Sequence, residues 1–174
     1  LNGSGTYTVF APTNDAFIAL LGVIGQTSLE DIPTDVITRI LQYHVVSGAA
    51  VAAGDLTDGQ MVATELNGEQ VTVSISGGTV SIDGATVVTP DVEASNGIIH
   101  VIDAVLVPEL EASIVNTIVE PAYFNNDFTI LTEAVVTADL LGTLIDPAGT
   151  YTLFAPTNSA FEAAGITSLD GLTG

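Results

Sequence analysis

Thr6-Tyr7-Thr8-Val9-Phe10-Ala11-Pro12-Thr13-Asn14-Asp15-Ala16-Phe17 decides the reading of this chain, because it occurs twice. The second copy is Thr150-Tyr151-Thr152-Leu153-Phe154-Ala155-Pro156-Thr157-Asn158-Ser159-Ala160-Phe161, identical at ten of twelve positions and offset by 144 residues. Each copy predicts a strand, a proline stop and a helix start. Tyr7, Val9 and Ala11 alternate with Thr8 and Phe10, the two-residue period of a strand. Pro12 brings no N–H and ends the pairing. Thr13 or Asn14 then caps a helix that carries Ala16, Phe17 and Leu20 on one face.

Outward from the first copy, the helix closes near Gly25, and Pro33 opens another whose Val36, Ile37, Ile40 and Leu41 predict a buried face. Tyr43-His44-Val45-Val46 follows as a strand-like run. From Ser47 to Pro108 the period changes to two, punctuated by Gly54-Asp55, Asp58-Gly59, Asn67-Gly68, Gly77-Gly78 and Asp83-Gly84. This predicts an antiparallel meander, with Asn67-Gly68 as a type I′ hairpin turn between runs 62–66 and 70–75. Beyond Leu110 the pattern is helical again. Ile114, Val115, Ile118 and Val119 form one predicted face, and Phe128, Leu131, Val135 and Leu140 another, with Asp127 as the predicted N-cap. The second copy comes next, with no sheet of its own following it in this chain.

Composition excludes several classes of function. There are 21 acidic residues, one arginine (Arg39) and no lysine, for a formal charge of −20. Such a surface repels phosphate backbones and anionic lipid heads, so nucleic acid is not an expected partner. The acids are scattered singly among apolar residues, as a solvated face requires. They suit solubility in a salty medium and a cell-surface coat, with weak divalent-cation binding as a third reading. No apolar run reaches the roughly 18 residues of a membrane span, so no membrane insertion is expected. Cysteine is absent, which removes disulfides and thiolate metal sites. A start at Leu1 reads as a processed form or an excerpt of a longer chain.

The motif order is specific. Thr8 to Phe17 comes first, then Tyr43-His44, then Asn96-Gly97-Ile98-Ile99-His100-Val101-Ile102-Asp103-Ala104-Val105-Leu106-Val107-Pro108. This succession resembles the fasciclin domain: its first signature, its central Tyr-His pair and its second signature. The family's domain length agrees with the 144-residue period. The resemblance implies an α+β fold, a β-wedge with a bundle of short helices. It also implies that residues 113–145 are the N-terminal helices of the next repeat. Residues 1–112 are then a domain lacking its N-terminal helices, and residues 113–174 the start of its successor. Either part alone exposes apolar surface, at about 25 cal/mol per Å². Two arrangements remove that cost: a permuted domain closed within the chain, or completion by a neighbouring copy in a head-to-tail filament.

The resemblance gives Phe10, Pro12, Thr13, Asn14, Phe17, Asn96, Gly97, His100 and Asp103 structural signature roles. It points to Tyr43, His44, Pro90, Asp91 and Val92 as interaction residues, because the family's comparable Pro-Asp-Ile segment is associated with integrin adhesion in animal members. His44 and His100 lie in apolar strands without metal-ligand spacing and are read as packed histidines. No Gly-x-Ser-x-Gly elbow or phosphate loop is present, so no catalytic residue, metal or cofactor is expected. Asp55 with Asp58, and Asn125-Asn126-Asp127, lack the alternating ligands of a calcium loop. Asn2-Gly3-Ser4 is a lone glycosylation triplet. The expected function is a non-enzymatic extracellular or cell-surface adhesion or matrix protein. Its expected partners are other copies or neighbouring repeats and a cell-surface or matrix ligand. A cation- or small-ligand-binding module is the alternative.

Overall fold

The structure is a computed structural model that describes residues 5–169, so the Asn2 triplet lies outside the described residues. The chain forms two compact units, Leu1–Leu20 with Ile37–Pro108, and Leu21–Val36 with Glu109–Gly174.

The first unit is built on a seven-stranded sheet. Its strands are β1 (Tyr7–Pro12), β2 (Val45–Ser47), β3 (Met61–Ala63), β4 (Gln70–Ser76), β5 (Thr79–Ile82), β6 (Ala85–Ala94) and β7 (Gly97–Ile102), in the spatial order β2-β1-β7-β6-β5-β4-β3. Strands β3 to β7 run antiparallel in sequence, the expected meander. β1 then inserts between β2, antiparallel, and β7, parallel, pairing Tyr7 with Gly97 through Pro12 with Ile102. Its alternation is as expected: Thr8 and Phe10 are buried, while Tyr7, Val9 and Ala11 are half-buried. Phe10, Val71, Val73, Ile82 and Ile102 form the centre of the core beneath the sheet.

The turns correct one sequence expectation. Gly77-Gly78 and Asp83-Gly84 make two-residue hairpins with positive φ at both positions, as primed turns require, and Ser95-Asn96 closes a third between β6 and β7. Asn67-Gly68 does not, because Ala63 pairs with Gln70 and leaves a six-residue loop, 64–69. Leu66 is buried and pulls that loop toward the core, while the Thr64 hydroxyl donates to the Glu69 carbonyl at 3.2 Å. Helix α1 (Asn14–Val23) is capped by Thr13, whose Oγ1 accepts from the Ala16 N–H at 3.2 Å. Helix α2 (Thr34–Tyr43) buries Val36 and Ile40, whereas Leu41, expected in that face, is half exposed.

The second unit is helical: α3 (Glu109–Ile114), α4 (Glu120–Tyr123), α5 (Thr129–Thr137), α6 (Leu141–Leu144) and α7 (Asn158–Ala163). The single face expected over 114–119 is interrupted at Asn116, which adopts φ 64° and ends the first helix. The N-cap in this region is Asn125, not Asp127: its Oδ1 accepts from the Asp127 N–H at 2.8 Å and starts a 3₁₀ turn. Phe124, Ile130 and Val135 are buried here with Ile24, Ile32 and Val36. The Asn126 side chain donates to the Glu30 carbonyl at 2.7 Å and the Ile32 carbonyl at 3.3 Å. Segment 21–36 belongs to this second compact unit, and the first unit ends at Pro108.

The second signature copy has a different fate from the first. Asn158 starts α7 and holds it in place, accepting from the Ile130 N–H at 3.0 Å and donating to the Asn126 carbonyl at 2.8 Å. Residues 151–157 form no strand. Phe10 is 1 % exposed, and its counterpart Phe154 is 88 % exposed.

Two glycines separate packing from propensity. Gly97 lies against the Tyr7 backbone so closely that a Cβ has no room, while Gly22, inside α1, faces open space. Urea unfolding of Gly97→Ala is expected to show a loss of about 2 kcal/mol or more. Gly22→Ala is expected to gain about 0.5–1 kcal/mol. Equal shifts would contradict the close β1–β7 approach.

Candidate functional site

The second signature sits on β7 and its flanks, and the central Tyr-His pair joins α2 to β2. Tyr43 is 6 % exposed, and its hydroxyl lies 3.0 Å from the Gln70 carbonyl and 2.7 Å from Asp83 Oδ2. His44 is 3 % exposed. Its Nδ1–H donates to the Ile40 carbonyl at 2.7 Å and its Nε2 accepts from the Leu106 N–H at 2.9 Å. The ring thus ties the end of α2 to the segment after β7. Burial lowers its pKa below 6.5, partly opposed by the bond to the Ile40 carbonyl.

His100 is fully buried. Its Nε2–H donates to the Val51 carbonyl at 2.9 Å, its Nδ1 accepts from the Asp91 N–H at 3.3 Å, and its ring stacks on Phe10 with centroids 5.9 Å apart. The first and second signatures therefore meet physically at Phe10 and His100. Asp91 bulges out of β6 with φ 56°, and its Oδ1 accepts from the Ala53 N–H at 2.7 Å. Pro90, Asp91 and Val92 are exposed, and these bonds anchor Asp91.

Of the five expected interaction residues, Pro90, Asp91 and Val92 lie at the surface. Tyr43 and His44 are buried. Gly97 lets β1 approach, Asp103 Oδ1 accepts from the Thr86 N–H at 2.6 Å, and the Thr13 N–H donates to the Ile102 carbonyl at 3.0 Å. Asn96 accepts from the Tyr7 N–H at 3.0 Å. Pro12 and Phe17 are half-buried, and Asn14 is exposed.

Two features went unread in the sequence. Asp58, Asp83, Asp91 and Asp103 each clamp a backbone N–H on another strand or loop, so part of the acidity is structural. The available signal was their place beside turn residues, where aspartate accepts local backbone bonds. The second is an apolar groove of about 670 Å³ beside β1 and β2, lined by Val9, Phe17, Leu41 and Val45 with Glu65 at its polar side. Among the described residues, no group of three or more His, Cys, Asp or Glu is placed to hold a metal ion. Among the same residues, no helix is long and apolar enough to cross a membrane.

An α+β fold whose two signature blocks meet at a buried Phe-His stack defines the class. The Fasciclin domain family matches residues 1–108 and 126–173, and the chain belongs to that family. Protein sll1483 of Synechocystis sp. is 44 % identical over 110 residues, covering 63 % of this chain and 59 % of that protein. Transforming growth factor-beta-induced protein ig-h3 of Sus scrofa is 28 % identical over 175 residues, covering 100 % of this chain and 24 % of its own length. Periostin of Homo sapiens is 31 % identical over 163 residues, 93 % of this chain and 18 % of its own length. The chain thus spans less than two thirds of each of these relatives. A solved FAS1 domain pair from the insect cell adhesion molecule fasciclin I aligns over 91 % of this chain and 54 % of its own, at 20 % identity and a TM-score of 0.44.

The depressed pKa of His44 carries a sign. The unfolded chain takes up a proton near pH 6.5 while the folded ring resists it, so stability is full above that pH. It falls as the pH drops from 6.5 toward the folded value. Urea midpoints at pH 7.5 and 5.5 are expected to drop in the native chain and to drop less in His44→Gln. Equal drops would contradict a buried neutral imidazole.

Proposed function

We propose that this chain is a non-enzymatic adhesion or matrix module of the extracellular space or cell surface. In this reading, copies assemble head-to-tail by exchanging the helices at 113–145. The observation that carries the assembly is the make-up of the second unit. Segment 21–36 shares one compact unit with the helices that follow residue 108, yet residues 37–108 separate them along the chain. The Asn126 bonds to the Glu30 and Ile32 carbonyls do not depend on which copy supplies each partner. Exchange of an identical element between copies is a low-cost route to oligomers. The −20 charge sets the condition: salt must screen the repulsion between copies.

Adhesion rests on family membership and on the exposed β6 bulge at Pro90-Asp91-Val92, a surface for a cell-surface or matrix ligand. A second reading has its own observation, the apolar groove, which fits a small neutral apolar ligand. An anionic ligand is opposed by the acidic surface.

Multi-angle light scattering in high salt tests the assembly. Mass per particle is expected to rise with concentration from monomer to dimer and beyond. A strict monomer over the full range would overturn exchange and leave the closed, permuted arrangement. Titration with Nile red tests the groove. Saturable binding weakened at least about fivefold by Leu41→Asp, a change of about 1 kcal/mol, is expected if the groove takes apolar ligands. Binding unaffected by that substitution would remove the second reading.

A further inference from the structure

The β1 position makes specific demands. Its first paired residue must tolerate the backbone of Gly97 against its own. Its second must offer a hydroxyl, because Thr8 Oγ1 donates to the Ala49 carbonyl and accepts from the Val51 N–H, both at 2.9 Å. Its fourth must place an aromatic ring against His100. The strand must then stop, and the next N–H must reach the Ile102 carbonyl, as Thr13 does.

The second signature copy meets each demand. Tyr151, Thr152, Phe154, Pro156 and Thr157 repeat Tyr7, Thr8, Phe10, Pro12 and Thr13, and Gly149 repeats Gly5 ahead of them. The one difference within the strand is Leu153 for Val9. Val9 borders both the large groove and a smaller cavity of about 100 Å³, so the added methylene has room. Yet residues 151–157 form no strand and leave Phe154 in water.

We propose that residues 150–156 of one copy occupy the β1 position of a second copy, between its β2 and β7. The inference rests on the assembly reading above and names the segment that carries it. Helices α5 and α6 lie directly upstream of residue 150, so they arrive with the strand. The occupant is a second copy of this chain, because the slot and the segment share one sequence. Exchange replaces one set of contacts with an equivalent one, so the balance follows concentration and the hold of the resident strand. The resident strand has the advantage of its tether.

The native chain has no cysteine, which makes register testable by disulfides. Val9 pairs with Ile99 in the parallel register, so Leu153 is expected opposite Ile99. Neighbouring strands lie about 4.8 Å apart, within disulfide reach, and residue 98 faces the other side. Full-length Leu153→Cys is mixed with full-length Ile99→Cys under mild oxidation, and separately with Ile98→Cys as the out-of-register control. The expected result is a mixed disulfide dimer formed at least about tenfold faster with Ile99→Cys than with Ile98→Cys. Phe10→Ala added to the Ile99→Cys chain is expected to raise that rate, because it loosens the resident strand. Equal rates for the two acceptors would overturn strand exchange. Light scattering on the native chain separates the two levels. Assembly without the in-register link overturns the strand and keeps helix exchange, whereas a strict monomer without the link overturns both.

Discussion

The first unit depends on β1 lying between β2 and β7. This strand joins its neighbours on both sides and pairs with β7 in parallel. Its presence requires Gly97, since any side chain there meets the Tyr7 backbone. Once seated, it brings Phe10 onto the His100 ring and the Thr8 hydroxyl onto the 49–51 loop. His100 then holds the Asp91 N–H, and Asp91 holds Ala53. The exposed Pro-Asp-Val bulge of β6 is therefore linked to the buried stack through Asp91. Both histidines act as polar joints whose two ring nitrogens are each used within the fold.

One block of sequence has two structures in this molecule. Tyr7–Pro12 is a strand because two strands wait to receive it, and residues 151–156 are not a strand with nearly the same side chains. β propensity describes fit to a pleated, half-buried surface and not an autonomous backbone preference. The helix start behaves differently. Both copies begin a helix after the Pro-Thr pair: Thr13 caps the first, and the second starts without a side-chain cap bond and is held through Asn158. Local chemistry is carried by the segment, and strand pairing is supplied by the surroundings.

That distinction explains what was legible in the sequence. The meander, the helix after Pro33 and the unpaired second copy followed from periodicity, proline, glycine and the repeat, and the α+β class followed from the resemblance carried by the signature blocks. The parallel β1–β7 pair did not, because its residues lie about 90 positions apart and the pattern within each strand is silent on its neighbour. Asn67-Gly68 carried a hairpin signal, but burial of Leu66 prevailed over it. Leu41 fitted the apolar face of α2 yet borders an open groove, which a helical period cannot reveal. At the candidate site, the signature positions named the residues but not their exposure. Of the five expected interaction residues, Tyr43 and His44 are interior joints and Pro90 to Val92 reach solvent. The aspartate clamps were hidden because a carboxylate that solvates a surface and one that grips an amide look alike in sequence.

The central claim is that the shared block becomes a strand only where a sheet receives it. Hydrogen–deuterium exchange read by mass spectrometry tests this directly, since the Val9/Leu153 difference separates the two peptides by mass. In dilute monomer, the amides of 7–11 are expected to be protected to the level of global unfolding, while those of 151–155 exchange near the rate of an unstructured chain. Equal protection of the two segments in that monomer would contradict the account.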